Sequence, residues 1–499
     1  MSHTATDLPH SQAGPPAATT ADGDAAGRLC LDPLRLVDGA VVAIGLAYAL
    51  AALVGLPLFA DGAHYLFRLR MDGLPYVPDL RLAAVPMQLP AWLASRLGAD
   101  VLATRHLFAF GETLVPAASI AGCWLVVRRR APWLMLFPAL ALLLNQVNFS
   151  GVSELLAMQY LAWPLVLAMA LHAGRPWVQR YAAIAGPLLL VQHPLAFAPA
   201  FGLAALALIV AWMRAGSRRT WLRLALWLAA CGAARAIWSS VGLSAHYEQT
   251  MLSADGAAFY FLPVTPGQTL LLGAVTVLGL AWTGRLLHRG RALPSVESAG
   301  GPRLLLWLTV LALPPLVLLL GHEMAWGQGV RLKVGLTVVA SFVLMAAAGL
   351  AGVRARPDRS PSPVAGLRGT LAPTLVALAG IAALLLVKSA AWWTATRGLQ
   401  NIVADTPAAC VPLSRQTPYG LQWPWMVIVD DWNAPMNALI FRPRLRDPAT
   451  RELVPIALLL PDDGCDRLAE EPVVYPTPWL SVSWERLDER FGPLRRPGP

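Results

Sequence analysis

Long apolar runs separated by short arginine-bearing loops set the pattern of this chain. A membrane-spanning helix needs about 20 consecutive apolar residues. Runs near that length fall at 36–59, 106–127, 131–147, 154–172, 181–193, 196–213, 220–238, 266–284, 304–321, 334–353 and 372–393. Two fit least well: 131–147 carries Pro132 and Pro138, and 181–193 is too short to cross alone. The loops arbitrate. Arg128, Arg129 and Arg130 follow the second run, and Arg175 and Arg180 the fourth. Further clusters are Arg214, Arg218, Arg219 and Arg223; Arg285, Arg289, Arg291 and Arg303; and Arg354, Arg356, Arg359 and Arg368. Basic residues concentrate in cytoplasmic loops, so each stretch between clusters is expected to cross an even number of times. The stretch 181–213 then becomes two short spans or a re-entrant hairpin, broken near Gln192, His193 and Pro194. The expectation is an all-α polytopic membrane protein of about eleven transmembrane helices, N-terminus inside and C-terminus outside.

The two ends read differently from the middle. Residues 1–34 are polar and lack a signal peptide's basic start and short apolar core, so a disordered cytoplasmic leader is expected, with Leu34–Ala60 as an uncleaved signal-anchor. Residues 35–393 form the transmembrane domain, with an outer loop at 60–102. From Trp393 onward there are 11 Arg against 13 Asp plus Glu. Short β-like runs at Trp425–Val429, Ala438–Phe441, Pro455–Leu460 and Trp479–Trp484 alternate with turn residues, predicting a small β-containing periplasmic domain over 394–499. Cys410 and Cys465 are its only cysteines, and in an oxidising compartment they are expected to form a disulfide.

Composition sharpens this picture. The chain is 56% hydrophobic and only 14% charged, against about 25% charged in soluble domains. A net charge of +10 would point to nucleic acid in a soluble protein. Here the 17 arginines of the five loops, opposed only by Glu297 and Asp358, account for it, so no nucleic-acid partner is expected. The bacterial inner membrane is the expected location. No Walker A motif, nucleotide-binding glycine loop, nucleophile elbow, C-x-x-C or His-rich pattern occurs, and neither a metal nor a cofactor is expected.

Scarce charge makes the remaining polar residues informative. Asp61 follows the first span, and helical spacing puts His64, Tyr65 and Arg68 on its face. A carboxylate there can act as general base or position a hydroxyl; a solvated, salt-bridged loop start is the plainer account. Asp72 is the nearest second carboxylate. The stretch 82–98, flanked by Arg81 and Arg96, has the pattern of an interfacial amphipathic helix. Glu154 opens an apolar helix, where capping a positive helix end competes with a functional role. His193 either faces a cavity or satisfies backbone groups freed by Pro194. An outward loop carries His322, Glu323, Arg331 and Lys333, cations suited to a lipid-linked phosphate or to ordinary headgroup anchoring. Lys388, near the outer end of the last span, is expected to snorkel to the interface.

Asp61 just after the first span, the Asn148-Phe149-Ser150-Gly151 turn into the fourth, the broken 181–213 stretch and the soluble C-terminal segment together resemble the GT-C superfamily of polytopic membrane glycosyltransferases, over residues 36–353. The resemblance implies transfer of a sugar from a polyprenyl-phosphate-linked donor to a glycan, lipid or protein acceptor outside the cytoplasmic membrane. It makes Asp61, with His64, catalytic. Arg331 and Lys333 would lie at the departing lipid phosphate, and Arg68, Asp72, Glu154, His193, His322 and Glu323 would bind substrate. The chain departs from the family's paired acidic motif, because Gly62 follows Asp61. A transporter or flippase and a non-catalytic envelope-assembly protein are the rival classes. Apart from Glu112 and Arg235 the spans are nearly free of charge, which disfavours ion coupling.

Overall fold

A computed structural model describes residues 32–78, 81–146, 154–213, 215–241, 341–354, 370–413, 433–443, 447–468, 473–477 and 480–496, with isolated positions 273 and 367. Helices dominate: α1 Pro33–Val54, α2 Asp61–Asp72, α3 Val85–Arg96, α4 Val101–Val127, α5 Leu136–Asn145, α6 Glu154–His172 and α7 Pro176–Leu190. They continue with α8 Phe197–Met213, α9 Arg218–Ser240, α10 Ser341–Arg354, α11 Leu371–Asp405, α12 Ala434–Ile440, α13 Asp462–Arg467 and α14 Trp484–Phe491. Among the described residues five helices are long and apolar enough to cross a membrane: Pro33–Val54, Val101–Val127, Glu154–His172, Pro194–Met213 and Leu371–Asp405. They mark the chain as a helical membrane protein. The runs at 266–284 and 304–321 lie outside the described residues.

Side-chain and backbone contacts gather helix termini into two groups. At one end Arg128 pairs with Asp38 at 3.0 Å, Arg130 donates to the Leu171 carbonyl, and Trp221 donates to that of Ala173. The start of α1 and the termini of α4, α6 and α9 therefore meet there, together with their arginines. At the other end the Ala83 amide donates to the Val191 carbonyl, and Arg70 reaches the Ala99 and Arg490 carbonyls. The 181–213 stretch is indeed broken: α7 ends at Leu190, and a 3-10 turn at Pro194–Ala196 leads into α8.

Small residues let elements close up. A Cβ on Gly111 of α4 would run into the Met87 carbonyl of α3, so α3 packs along the first half of α4. Its Leu89 and Leu93 are exposed, as are Leu107, Phe110 and Leu114 of α4.

Position 393 falls inside α11, whose 35 residues continue to Asp405. At 1.5 Å per residue that is roughly 50 Å, well beyond the bilayer's hydrocarbon thickness. Its end carries the C-terminal segment: the Ala457 amide donates to the Val403 carbonyl, and Arg495 to that of Ala404. Two short sheets form there. β1 (Cys410–Pro412) pairs in parallel with β2 (Leu458–Leu460), and β3 (Val473–Thr477) pairs antiparallel with β4 (Leu480–Ser483). Two expected strands thus fall at β2 and β4. The expected strand Ala438–Phe441 is instead the end of a buried helix, α12, which starts at Ala434 with Pro435 in its first turn. The run Trp425–Val429 lies outside the described residues. The Cys410–Cys465 disulfide is formed and staples β1 to α13.

Candidate functional site at the start of α2

Asp61 opens α2, and the residue before it is strained: Ala60 has φ 52° and ψ −118°, a conformation that disfavours any side chain. The expected helical spacing forms, with Tyr65 buried and Asp61, His64 and Arg68 half-buried. Tyr65 is 5% exposed, and its hydroxyl donates to Glu154 Oε1 at 2.7 Å. Glu154 Oε2 accepts from Arg81 at 3.2 Å, both side chains being buried. Asp61 lies close enough to Tyr65 to act on its hydroxyl, and together with burial and Glu154 it holds that phenol well above its usual range. Tyr65 is therefore a proton donor at neutral pH.

Aromatic rings close the other side. The His64 ring meets Tyr76 edge-on at 5.0 Å, and Tyr65 and Tyr76 lie 5.3 Å apart. Arg68 sits 5.5 Å above the Tyr76 ring. Gln88 of α3, fully buried, clamps the Tyr76 backbone in both directions, accepting from its amide at 2.9 Å and donating to its carbonyl at 2.7 Å. Burial, with the Arg68 charge second, lowers the His64 pKa to about 4. His64 is thus neutral at pH 7 and adds no positive charge.

The remaining expected residues divide. Arg68 binds Asp72 at 2.8 Å on the helix surface, and Arg486 of α14 stands 3.9 Å from Asp72 while donating to the Met71 carbonyl. The stacked rings of Phe67 and Phe491, 5.2 Å apart, complete that junction. Asp72 therefore helps seat α14, away from the Tyr65–Glu154 contact. His193 Nδ1 accepts from the Leu195 amide at 3.2 Å, capping the turn after the helix break. This contact is to backbone, one of the two roles expected for His193. His322, Glu323, Arg331 and Lys333, like Asn148–Gly151, lie outside the described residues.

Three residues had weak sequence signals. Arg81 looked like the flank of an amphipathic helix, yet it is the buried partner of Glu154. Glu112, on α4, is buried near Glu154. Lys388 does not snorkel: it is 2% exposed and donates to Gln146 Oε1 at 2.8 Å in the bundle interior. The signal common to Glu112 and Lys388 was simply an ionisable residue inside an apolar run. Among the described residues no three His, Cys, Asp or Glu converge as a metal site.

Comparison with protein-family models, curated proteins and solved structures returned no match.

Proposed function

We propose that the chain is an integral-membrane glycosyltransferase of GT-C type, with Asp61 as general base. It would move a sugar from a polyprenyl-phosphate donor to an extracytoplasmic hydroxyl acceptor. The observation that carries this reading is the convergence at one end of the bundle. A strained residue sets Asp61 at the start of a helix whose inner face delivers Tyr65 to the Glu154–Arg81 pair. Strain of this kind costs about 1–3 kcal/mol and gathers where geometry serves function. In the proposed step Asp61 takes the proton of the acceptor hydroxyl. The acceptor oxygen bonds to the anomeric carbon, and the bond from that carbon to the lipid-phosphate oxygen breaks. The departing phosphate keeps the electron pair, and Arg331 and Lys333 meet its charge. Neutral His64 suits orienting a hydroxyl rather than holding phosphate. Eleven spans, a cytoplasmic N-terminus, a periplasmic C-terminus and placement in a bacterial inner membrane belong to the same proposal.

The test is Asp61→Asn in purified protein reconstituted in lipid nanodiscs with radiolabelled polyprenyl-phosphate sugars and a membrane-extract acceptor. Loss of at least a hundredfold in transfer with an unchanged melting temperature is expected, the upper range of general-base contributions being about 10⁴-fold. Full transfer by a well-folded Asp61→Asn protein would remove Asp61 from the mechanism.

A further inference from the structure

Glu112 is anomalous in both sequence and structure. It interrupts the apolar run from Phe108 to Val115 in the middle of a span. It is only 9% exposed, and its Oε1 is buried with no hydrogen-bond partner among the described residues. Its charged neighbour is Glu154, whose two oxygens already serve Tyr65 and Arg81. A buried carboxyl with an open oxygen carries the desolvation penalty without recovery, and a second carboxylate beside it adds repulsion. Leucine would fill the position at lower cost, so packing does not account for a glutamate.

We propose that Glu112 is a ligand-binding carboxyl whose open oxygen hydrogen-bonds a sugar hydroxyl held at the Tyr65–Glu154–Arg81 cluster. The ligand class rests on the sugar-transfer reading above. A sugar hydroxyl both donates and accepts, so it satisfies the open Oε1 in either protonation state of the carboxyl. A sugar ring supplies several such hydroxyls. The subsite therefore takes the sugar.

Equilibrium binding to the full chain in nanodiscs, without acceptor, tests this with undecaprenyl-phosphate glucose, galactose, mannose and arabinose as probes. At least one probe should bind the parent. Glu112→Leu should weaken that probe by about tenfold, the loss of one hydrogen bond. Its melting temperature should match or exceed the parent's, whereas replacing a glutamate kept for structure would lower it. Glu112→Gln keeps one acceptor oxygen and should fall between the two, and it decides the matter if the leucine variant does not fold. A deoxy probe lacking the contacted hydroxyl should bind parent and Glu112→Leu alike. Absence of binding by every probe, or equal binding by parent and variants, overturns the subsite. Binding lost in the variants while the parent shows no turnover with acceptor would sink the transferase reading and leave the subsite standing. Turnover indifferent to Glu112 would do the reverse.

Discussion

Ala60 and His64 show how single residues on α2 are held in states they would not adopt alone. Ala60 keeps a left-handed φ that only its surroundings enforce, and His64 keeps a neutral ring that burial enforces. The second has a measurable consequence. Unfolded, His64 titrates near 6.5; folded, at about 4. Between those values the unfolded chain binds a proton that the folded chain does not, so stability rises with pH across the window. The contribution is fully present above pH 6.5 and is lost as pH falls toward 4. At 1.36 kcal/mol per pK unit it amounts to at most about 3 kcal/mol. His64→Gln should therefore flatten the melting temperature between pH 6.5 and 4 in detergent solution, whereas parallel profiles for parent and variant would refute the assignment.

At the scale of elements, the Arg81–Glu154 pair joins the loop after α2 to the start of α6. Removing one partner leaves the other charge buried and uncompensated, which costs about 3–5 kcal/mol, while removing both is far milder. Arg81→Met and Glu154→Gln should each destabilise strongly and the double variant much less; additive losses in a double-mutant cycle would mean that the pair does not act as a unit. This pair also marks the limit of what sequence can tell. The face of α2 carrying Asp61, His64, Tyr65 and Arg68 was legible because its spacing is local. The break at Gln192–Pro194 was legible because the next arginines demanded a return. Tyr65 and Glu154 are 89 positions apart, and Arg81 and Glu154 73, and nothing local encodes which distant segments will pack together. Ala438–Phe441 misled because a four-residue apolar run fits a buried helix as well as a strand. Lys388 misled because a span drawn to end at 393 put it near the surface, whereas α11 runs on to Asp405 and leaves it in the interior.

For the whole molecule, the sorting of loops into two ends is the feature on which the orientation rests. Arg128 and Arg130 meet Asp38 and the end of α6 at one end. Asp61, Glu154 and the disulfide-stapled C-terminal segment gather at the other, where Arg70 and Arg486 tie α2 to α14. In the proposed orientation the end that carries the Cys410–Cys465 disulfide faces the oxidising side of the membrane. Two exposed positions test the orientation directly. Arg129 lies in the arginine cluster after α4, and Thr450 in a turn of the C-terminal segment. Cys123 and Cys231 are buried and Cys410 and Cys465 are bonded, so replacing Cys30 leaves a quiet background for single added cysteines. A membrane-impermeant maleimide applied to intact cells with the outer membrane opened should label Thr450→Cys and spare Arg129→Cys. Inverted vesicles should give the opposite pattern. Labelling of both from one side would mean that the two ends do not lie across a membrane. The site around Asp61 would then lose its extracytoplasmic acceptor, and the proposed transfer reaction would fail with it.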